Sequence, residues 1–197
     1  MSIEATPPRW TNLLLRVVLP RRDFETVAGD LLEEYRETVY PARGRRRADH
    51  WFVAQVLGFA WRNVRFWVTL LTLASIARTA MDWLVPTTDF HSRAILSTLT
   101  GAGVLLLAGF WSGARSGSFS AGPIIGVTTA TLAVPLEALG TLALLAVWHD
   151  AKTITAIHGS GGLEEVFTLP ILLIVPAVVL GTIGGLLGAV TARLRSA

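Results

Sequence analysis

The chain has 197 residues, of which 52% are hydrophobic and 16% are charged, and its mean hydropathy is +0.53. An ordinary soluble domain is about 25% charged, so this composition excludes a typical soluble protein and indicates that lipid is the solvent. The absence of cysteine excludes disulfides, thiolate metal sites and cysteine catalysis. The net charge is +3; we attribute the basic excess to membrane orientation and predict no nucleic-acid partner.

Residues 1–47 are predicted to form a cytoplasmic helical prefix. A first helix starts at Thr6-Pro7-Pro8, because proline is tolerated in the first helical turn, and Pro20 ends it. Its apolar residues follow the spacing of one helical face: Trp10, Leu13, Leu14, Val17 and Val18. A second helix is predicted to begin near Asp23 and to end at Pro41 and Gly44.

The prefix also carries a family resemblance. Its segments Pro8-Arg9-Trp10, Leu14-Leu15-Arg16, Leu19-Pro20 and Gly29-Asp30-Leu31-Leu32-Glu33-Glu34-Tyr35, with the basic run before Trp51, resemble the permease prefix domain of bacterial ABC-transporter permeases. The resemblance spans residues 7–61. Such permeases have a large extracytoplasmic domain between their first two spans, where this chain has only residues 86–93. The resemblance implies a bacterial, transporter-associated membrane protein, and the candidate partner-docking residues of the prefix are Leu31, Glu33, Glu34 and Tyr35.

A basic run follows the second helix and contains Arg43, Arg45, Arg46 and Arg47. Next to a membrane, such a run attracts anionic lipid head groups at about 1 kcal/mol per charge; the alternative is a solvated linker that only orients the chain. Residues 48–65 are predicted to form an interfacial amphipathic helix, because the segment is too apolar for a free surface helix while Arg62 and Arg65 prevent it from spanning the membrane.

Residues 66–197 are predicted to form a four-helix transmembrane domain, which makes the fold class all-α. The predicted spans are 66–85, 94–111, 124–148 and 166–190, each long enough to cross a hydrocarbon core of about 30 Å at about 1.5 Å per residue. Arginines concentrate in residues 1–65, in the connection after the second span and at the C-terminus. The positive-inside rule therefore predicts a multi-pass protein of the bacterial cytoplasmic membrane with both termini in the cytoplasm.

Three ionisable residues lie within the predicted spans: Arg78, Asp82 and Glu137. Arg78 and Asp82 are four residues apart and can meet on one helical face. Arg78 and Glu137 lie at similar depths, about 18 Å and about 20 Å from the cytoplasmic ends of their spans. A charge at the bilayer centre costs at least about 2.5 to 3.5 kcal/mol. Glu137 is therefore a proton or cation site loosened by Pro135, a member of a polar clasp with Arg78 and Asp82, or a protonated group bonded to a neighbouring threonine or to the backbone.

The fourth predicted span carries two overlapping pairs of small residues, Gly181/Gly185 and Gly184/Gly188. Glycines at this spacing let helix backbones approach closely where no hydrophobic force drives association. The partner of this face is either another helix of the same chain or a second subunit.

No catalytic constellation is visible in the sequence. The chain lacks G-x-x-x-x-G-K-[ST], G-x-S-x-G and H-E-x-x-H, so we predict no enzyme, no catalytic residue and no cofactor. His149, Asp150 and His158 share one outer loop, but their spacing matches no compact ligand pattern, so we predict no metal site.

Three functions fit these observations. The first is an accessory or regulatory subunit of a transporter that docks through its prefix. The second is a small oligomeric solute carrier or proton-coupled transporter that uses Glu137. The third is an accessory subunit of a large bioenergetic membrane complex. All three place the chain in a lipid bilayer, and the expected protein partner is another membrane subunit or a second copy of the chain.

Overall fold

The computed structural model describes residues 6–85, 90–159 and 162–195, and all regular secondary structure in these residues is helical, which confirms the predicted fold class. The helical elements are α1 (Arg9–Val18), α2 (Arg21–Glu34), a π-helical turn (Tyr35–Val39), α3 (Tyr40–Leu84), α4 (Phe90–Ser116), α5 (Ala121–Val147), α6 (Ala151–Gly159), α7 (Gly162–Leu172) and α8 (Ile174–Leu194).

The prefix helices α1 and α2 pack against the first half of α3 around a small apolar core. Leu15 of α1, Tyr35 of the π-helical turn and Val56 of α3 are fully buried there. The buried face of α1 differs from the predicted one, because Trp10 and Leu13 are 48% and 67% exposed. Thr11 is buried instead, and its hydroxyl donates a hydrogen bond to the carbonyl oxygen of Pro8 at 2.5 Å.

The long helix α3 is interrupted at one point, Gly44, whose φ of 73° lies in the left-handed region that favours glycine. Beyond Gly44 the helix continues to Leu84 without another non-helical residue. Residues 48–65, which we predicted to form an interfacial helix that leads into the first span, are continuous with that span in α3. Phe52 and Val56 face the prefix core, so the segment forms a stem around which the prefix folds.

Four helices are long and apolar enough to cross a membrane: the distal part of α3, α4, α5 and α8. The protein is therefore a multi-span helical membrane protein. The stretch predicted as the fourth span, residues 166–190, covers the last part of α7 and most of α8, which meet at Leu173. Pro176 lacks the N–H that would bond to the carbonyl of Leu172. The neighbouring helical bonds, from Leu173 N to Leu169 O and from Ala177 N to Leu173 O, remain at 3.0 Å.

Helix α8 packs against both α4 and α5 through the four glycines of its small-residue pairs. Gly181, Gly184, Gly185 and Gly188 are all buried. A Cβ at Gly181 would lie 2.6 Å from the carbonyl oxygen of Gly122 in α5, and one at Gly184 would lie 2.8 Å from the backbone nitrogen of Phe110 in α4. Within this chain, the glycines therefore mark backbone contacts of span four with spans two and three.

The two ends of the bundle differ. At one end, α1 contacts α4 and α5, and the guanidinium of Arg193 near the end of α8 lies 4.5 Å from the ring centroid of Phe119. We call this the prefix end. The opposite end, which we call the far end, holds the end of α3 at Leu84 and the short helix α6, which contacts α3 and buries Thr153 and Ile157.

Candidate functional site

Span one brings a basic and an acidic side chain together inside the bundle. Arg78 and Asp82 are one helical turn apart, and Arg78 Nε lies 3.6 Å from Asp82 Oδ2. Their side chains are 32% and 15% exposed, so this ion pair is half-buried in the transmembrane region. The i,i+4 spacing allows the pair because both side chains project from the same helical face.

Glu137 of span three is more deeply buried, with 4% of its surface exposed. The hydroxyl of Ser75 in span one donates a hydrogen bond to its carboxyl group. Its second oxygen, Oε2, has no hydrogen-bond partner among the residues that the structure describes. A buried polar atom without a partner costs about 1–3 kcal/mol, and more if it is charged. Such an atom calls for an explanation, and a ligand or proton at Oε2 supplies one.

Glu137 and the ion pair line one small cavity of about 60 Å³, which we call the polar cavity. Its polar lining comes from spans one and three, and its apolar wall from the α7–α8 junction. The lining residues are Ser75, Ile76, Arg78, Thr79, Asp82, Trp83, Glu137, Thr141, Leu169, Pro170 and Leu173. Since one water molecule needs about 10–15 Å³ of such space, the polar cavity has room for a few waters or one small hydrated ion, but not for an organic solute.

The structure thus brings together the three intramembrane residues singled out from the sequence, Arg78, Asp82 and Glu137, at one cavity. Sequence reasoning missed Ser75 and Thr141, since lone hydroxyls in an apolar span give no specific signal. It also missed the junction of α7 and α8 beside the cavity. A signal for that junction was present, because prolines at positions 170 and 176 each remove a helical hydrogen bond.

The candidate docking residues of the prefix divide into two groups. Glu33 and Glu34 are exposed, whereas Leu31 and Tyr35 are buried in the prefix core. Tyr35 donates a hydrogen bond to Asp49 Oδ1 at 2.6 Å. Burial and this bond to a carboxylate raise the pKa of Tyr35 to about 12. Leu31 and Tyr35 are therefore inaccessible to a partner while the prefix is folded.

The candidate head-group residues Arg43, Arg45, Arg46 and Arg47 are all exposed around the break at Gly44. At the far end, Asp150 caps α6: its Oδ1 accepts bonds from the backbone nitrogens of Lys152 and Thr153 at 2.9 and 3.2 Å, and its Oδ2 accepts one from the Thr153 hydroxyl at 2.9 Å. These bonds lower the pKa of Asp150. Both oxygens of this carboxylate are thus engaged in holding the helix start.

Comparisons with protein-family models, with curated proteins and with solved structures gave no match for this chain. The likeness of the prefix to the permease prefix domain stays a prediction from its residues.

Proposed function

We propose that this multi-span membrane protein is a small proton-coupled carrier in which Glu137 binds and releases the proton. One observation carries the proposal: Glu137 is buried in the transmembrane region, and its Oε2 has no hydrogen-bond partner in the described structure while the carboxyl group lines a cavity. Ionisable groups inside membrane domains are costly, and they typically belong to ion and proton pathways.

A purely structural role for Glu137 fits this arrangement less well. In a polar clasp, both oxygens of the Glu137 carboxylate would accept hydrogen bonds. A buried oxygen without a donor makes a polar network less stable than an apolar core. Here Ser75 serves one oxygen only, and Arg78 has its own carboxylate partner in Asp82. The arrangement therefore favours the carboxyl group of Glu137 as the site that exchanges a proton.

The proline-containing junction of α7 and α8 supports a moving element beside this group. Prolines at positions 170 and 176 each remove a helical hydrogen bond, and helices with such freed backbone beside a polar cavity are a common feature of transporters. The α7–α8 junction places Leu169, Pro170 and Leu173 on the wall of the polar cavity. A movement of α7 about Leu173 would then open the cavity to one side of the membrane, and proton release would follow on the other side.

Proton flux into liposomes tests the proposal. The purified chain is reconstituted with a pH-sensitive dye inside, and a proton gradient is imposed with a panel of small solutes outside, because a coupled carrier moves the proton together with its solute. The wild type is expected to carry protons, and Glu137→Gln, which keeps the shape of the side chain, is expected to abolish the flux. Glu33→Gln, the same change at an exposed carboxylate of the prefix, should leave the flux intact. A Glu137→Gln variant that is monodisperse and as active as the wild type would refute the role of Glu137.

A second candidate function is docking of a membrane partner through the prefix, as the resemblance to permease prefix domains implies. It is favoured by the exposure of Trp10 and Leu13 beside a cleft of about 730 Å³ between α1 and α2. In mild detergent, a partner that co-purifies with the wild type should be lost from Trp10→Ser/Leu13→Ser. It should be retained by Leu57→Ser, which alters a leucine of the stem that is about as exposed as Trp10. Purification of the wild type as a lone monodisperse protein would count against this function.

A further inference from the structure

A cleft at the prefix end of the molecule lies between the prefix, the stem and the end of span two. Its volume is about 350 Å³, within the range of about 300–1,000 Å³ that is common for small-molecule sites. We call it the arginine pocket, because Arg62 of α3 and Arg115 of α4 are exposed and line it. The other lining residues are Val18, Leu19, Pro20, Asp23, Val27, Phe59 and Asn63.

The charged residues of the arginine pocket favour an anionic ligand. The guanidinium of Arg62 lies 4.5 Å from the ring centroid of Phe59. Such a contact uses the face of the guanidinium, so the N–H groups at its edge can still bind oxygen atoms. Arg115 lies in the last turn of α4 and is exposed. The third charged residue, Asp23, is paired with Arg22 at 3.3 Å between Oδ1 and Nε, so the two arginines give the wall a net positive charge.

The arginine pocket lies at the level of the lipid head groups. Phe66 follows Arg62 by four residues, and Trp111 precedes Arg115 by four residues, so each aromatic residue shares a helical face with its arginine. At about 1.5 Å per residue, each aromatic residue lies about 6 Å farther into its span. Phe66 and Trp111 are 63% and 56% exposed. Because tryptophan favours the membrane–water interface, the guanidiniums lie just outside it, where phosphate groups are found.

Below the aromatic residues, the same two faces continue into the membrane as exposed apolar surface. On α3 this surface contains Leu70 and Leu73, and on α4 it contains Leu107. In a bilayer, acyl chains cover such surface. A molecule that fits both the arginine pocket and these two faces therefore has an anionic head and apolar chains.

We propose that the arginine pocket binds one anionic phospholipid of the surrounding bilayer through its phosphate. The phosphate lies between Arg62 and Arg115, because each guanidinium can donate two parallel hydrogen bonds to phosphate oxygens. The acyl chains lie along the exposed faces of spans one and two. Basic pockets between membrane helices are a known way of binding anionic head groups.

The bound lipid connects the prefix to the membrane bundle. The wall of the arginine pocket includes the α1–α2 connection at Leu19 and Pro20 as well as residues of α3 and α4. Asn63 Nδ2 already donates a hydrogen bond from the stem to the carbonyl oxygen of Val18 at 3.4 Å. A phosphate in the pocket therefore adds a second link at the same place and holds the prefix against the bundle.

Native mass spectrometry of the intact chain in detergent tests the binding, with phosphatidylglycerol and phosphatidylcholine of identical acyl chains as probes. The first phosphatidylglycerol should bind at least about ten-fold more tightly, because the choline cation is repelled by the two guanidiniums. Equal affinities would overturn the proposal. Inorganic phosphate, which has no acyl chains, should not displace the lipid. Displacement at equal concentrations would assign the pocket to a soluble phosphate compound and refute the lipid.

Two double variants distinguish the arginine pocket from general charge. Arg62→Gln/Arg115→Gln should weaken the first phosphatidylglycerol at least about ten-fold and remove its advantage over phosphatidylcholine. Arg46→Gln/Arg47→Gln removes the same charge from exposed positions of the basic run, which does not line the pocket, and should bind like the wild type. Equal losses in the two variants would show that only the net charge matters and would refute the site.

Hydrogen exchange in lipid nanodiscs locates the bound lipid without relying on the affinity of a variant. Replacing phosphatidylcholine by phosphatidylglycerol should slow amide exchange at residues 18–24 of the wild type, because the lipid holds the α1–α2 connection against the bundle. Arg62→Gln/Arg115→Gln should show no such slowing. Slower exchange that is confined to residues 43–47 would place the lipid on the basic run and overturn the proposal.

Discussion

Replacing Gly188 by alanine is expected to force spans two and four apart. The added Cβ would overlap the carbonyl oxygen of Phe110 and would lie 2.6 Å from the backbone nitrogen of Ala114. Both atoms belong to the backbone of α4, so no side-chain rotation can relieve the overlap. An ordinary contact of a Cβ begins near 3.4 Å, and the helices must therefore separate by at least about 0.8 Å at this level.

The expected loss of stability follows from that separation. A gap of about 0.5–1 Å removes about a quarter to a half of the dispersion energy of each affected contact, and overpacking of a well-packed site typically costs about 1–3 kcal/mol. For a chain of about 150–250 residues, each kcal/mol corresponds to about 2–4 °C in Tm. Gly188→Ala should therefore unfold about 2–12 °C below a Gly→Ala change in the same pair of spans that causes no overlap, because both changes share the gain in helix propensity.

Thermal unfolding in a single detergent, followed by circular dichroism, measures this effect. Gly103→Ala is the matched control, because Gly103 lies in the same interacting pair of spans but has nothing within 4 Å of its Cβ position. Its Tm should stay the same or rise slightly, since alanine favours a helix over glycine by about 1 kcal/mol. Equal unfolding temperatures for the two variants would refute the close contact of spans two and four at Gly188.

Two further predictions concern the prefix and the far end. Tyr35→Phe removes the hydrogen bond to Asp49 and should destabilise the prefix by about 1–2 kcal/mol, measured by chemical unfolding. The pKa of Tyr35 is raised to about 12. The stabilisation that its hydroxyl gives the prefix is therefore complete below the ordinary pKa of about 10 and is lost as the pH rises through about 12. A midpoint of alkaline unfolding that is the same in Tyr35→Phe and the wild type would contradict this. Asp150→Ala should speed amide hydrogen exchange in α6 while Asp150→Asn, which can still cap, should not. The pKa of Asp150 is lowered, so its cap is strongest above the ordinary carboxyl pKa and weakens as the pH falls through the lower folded value; protection factors of α6 that do not fall in acid would exclude that role.

Much of the membrane fold could be predicted from residue composition along single helices. The four apolar stretches predict four spans because hydropathy and length are properties of one segment, independent of its neighbours. The i,i+4 spacing of Arg78 and Asp82 likewise places both side chains on one face of one helix. By contrast, the junction between α7 and α8 within the predicted fourth span was not anticipated, although prolines lie at positions 170 and 176.

The candidate site depended on how the helices rotate against one another. The sequence indicated equal depths for Arg78 and Glu137 but could not say that Ser75 would donate to the Glu137 carboxyl group or that Oε2 would face a cavity. In the prefix, the rotation of the helices against one another likewise decided that Tyr35 is buried and Trp10 is exposed.

The amino-acid sequence by itself determined the class of this protein, an all-helical bundle of four membrane spans with a helical prefix, since each span needs only enough apolar residues in a row. The tertiary structure alone decided which faces of those spans meet, and hence that the α7–α8 junction closes a polar cavity around Glu137. The reason is physical: the rotation of a helix about its own axis is set by the packing of all its neighbours at once, and no single segment contains that information.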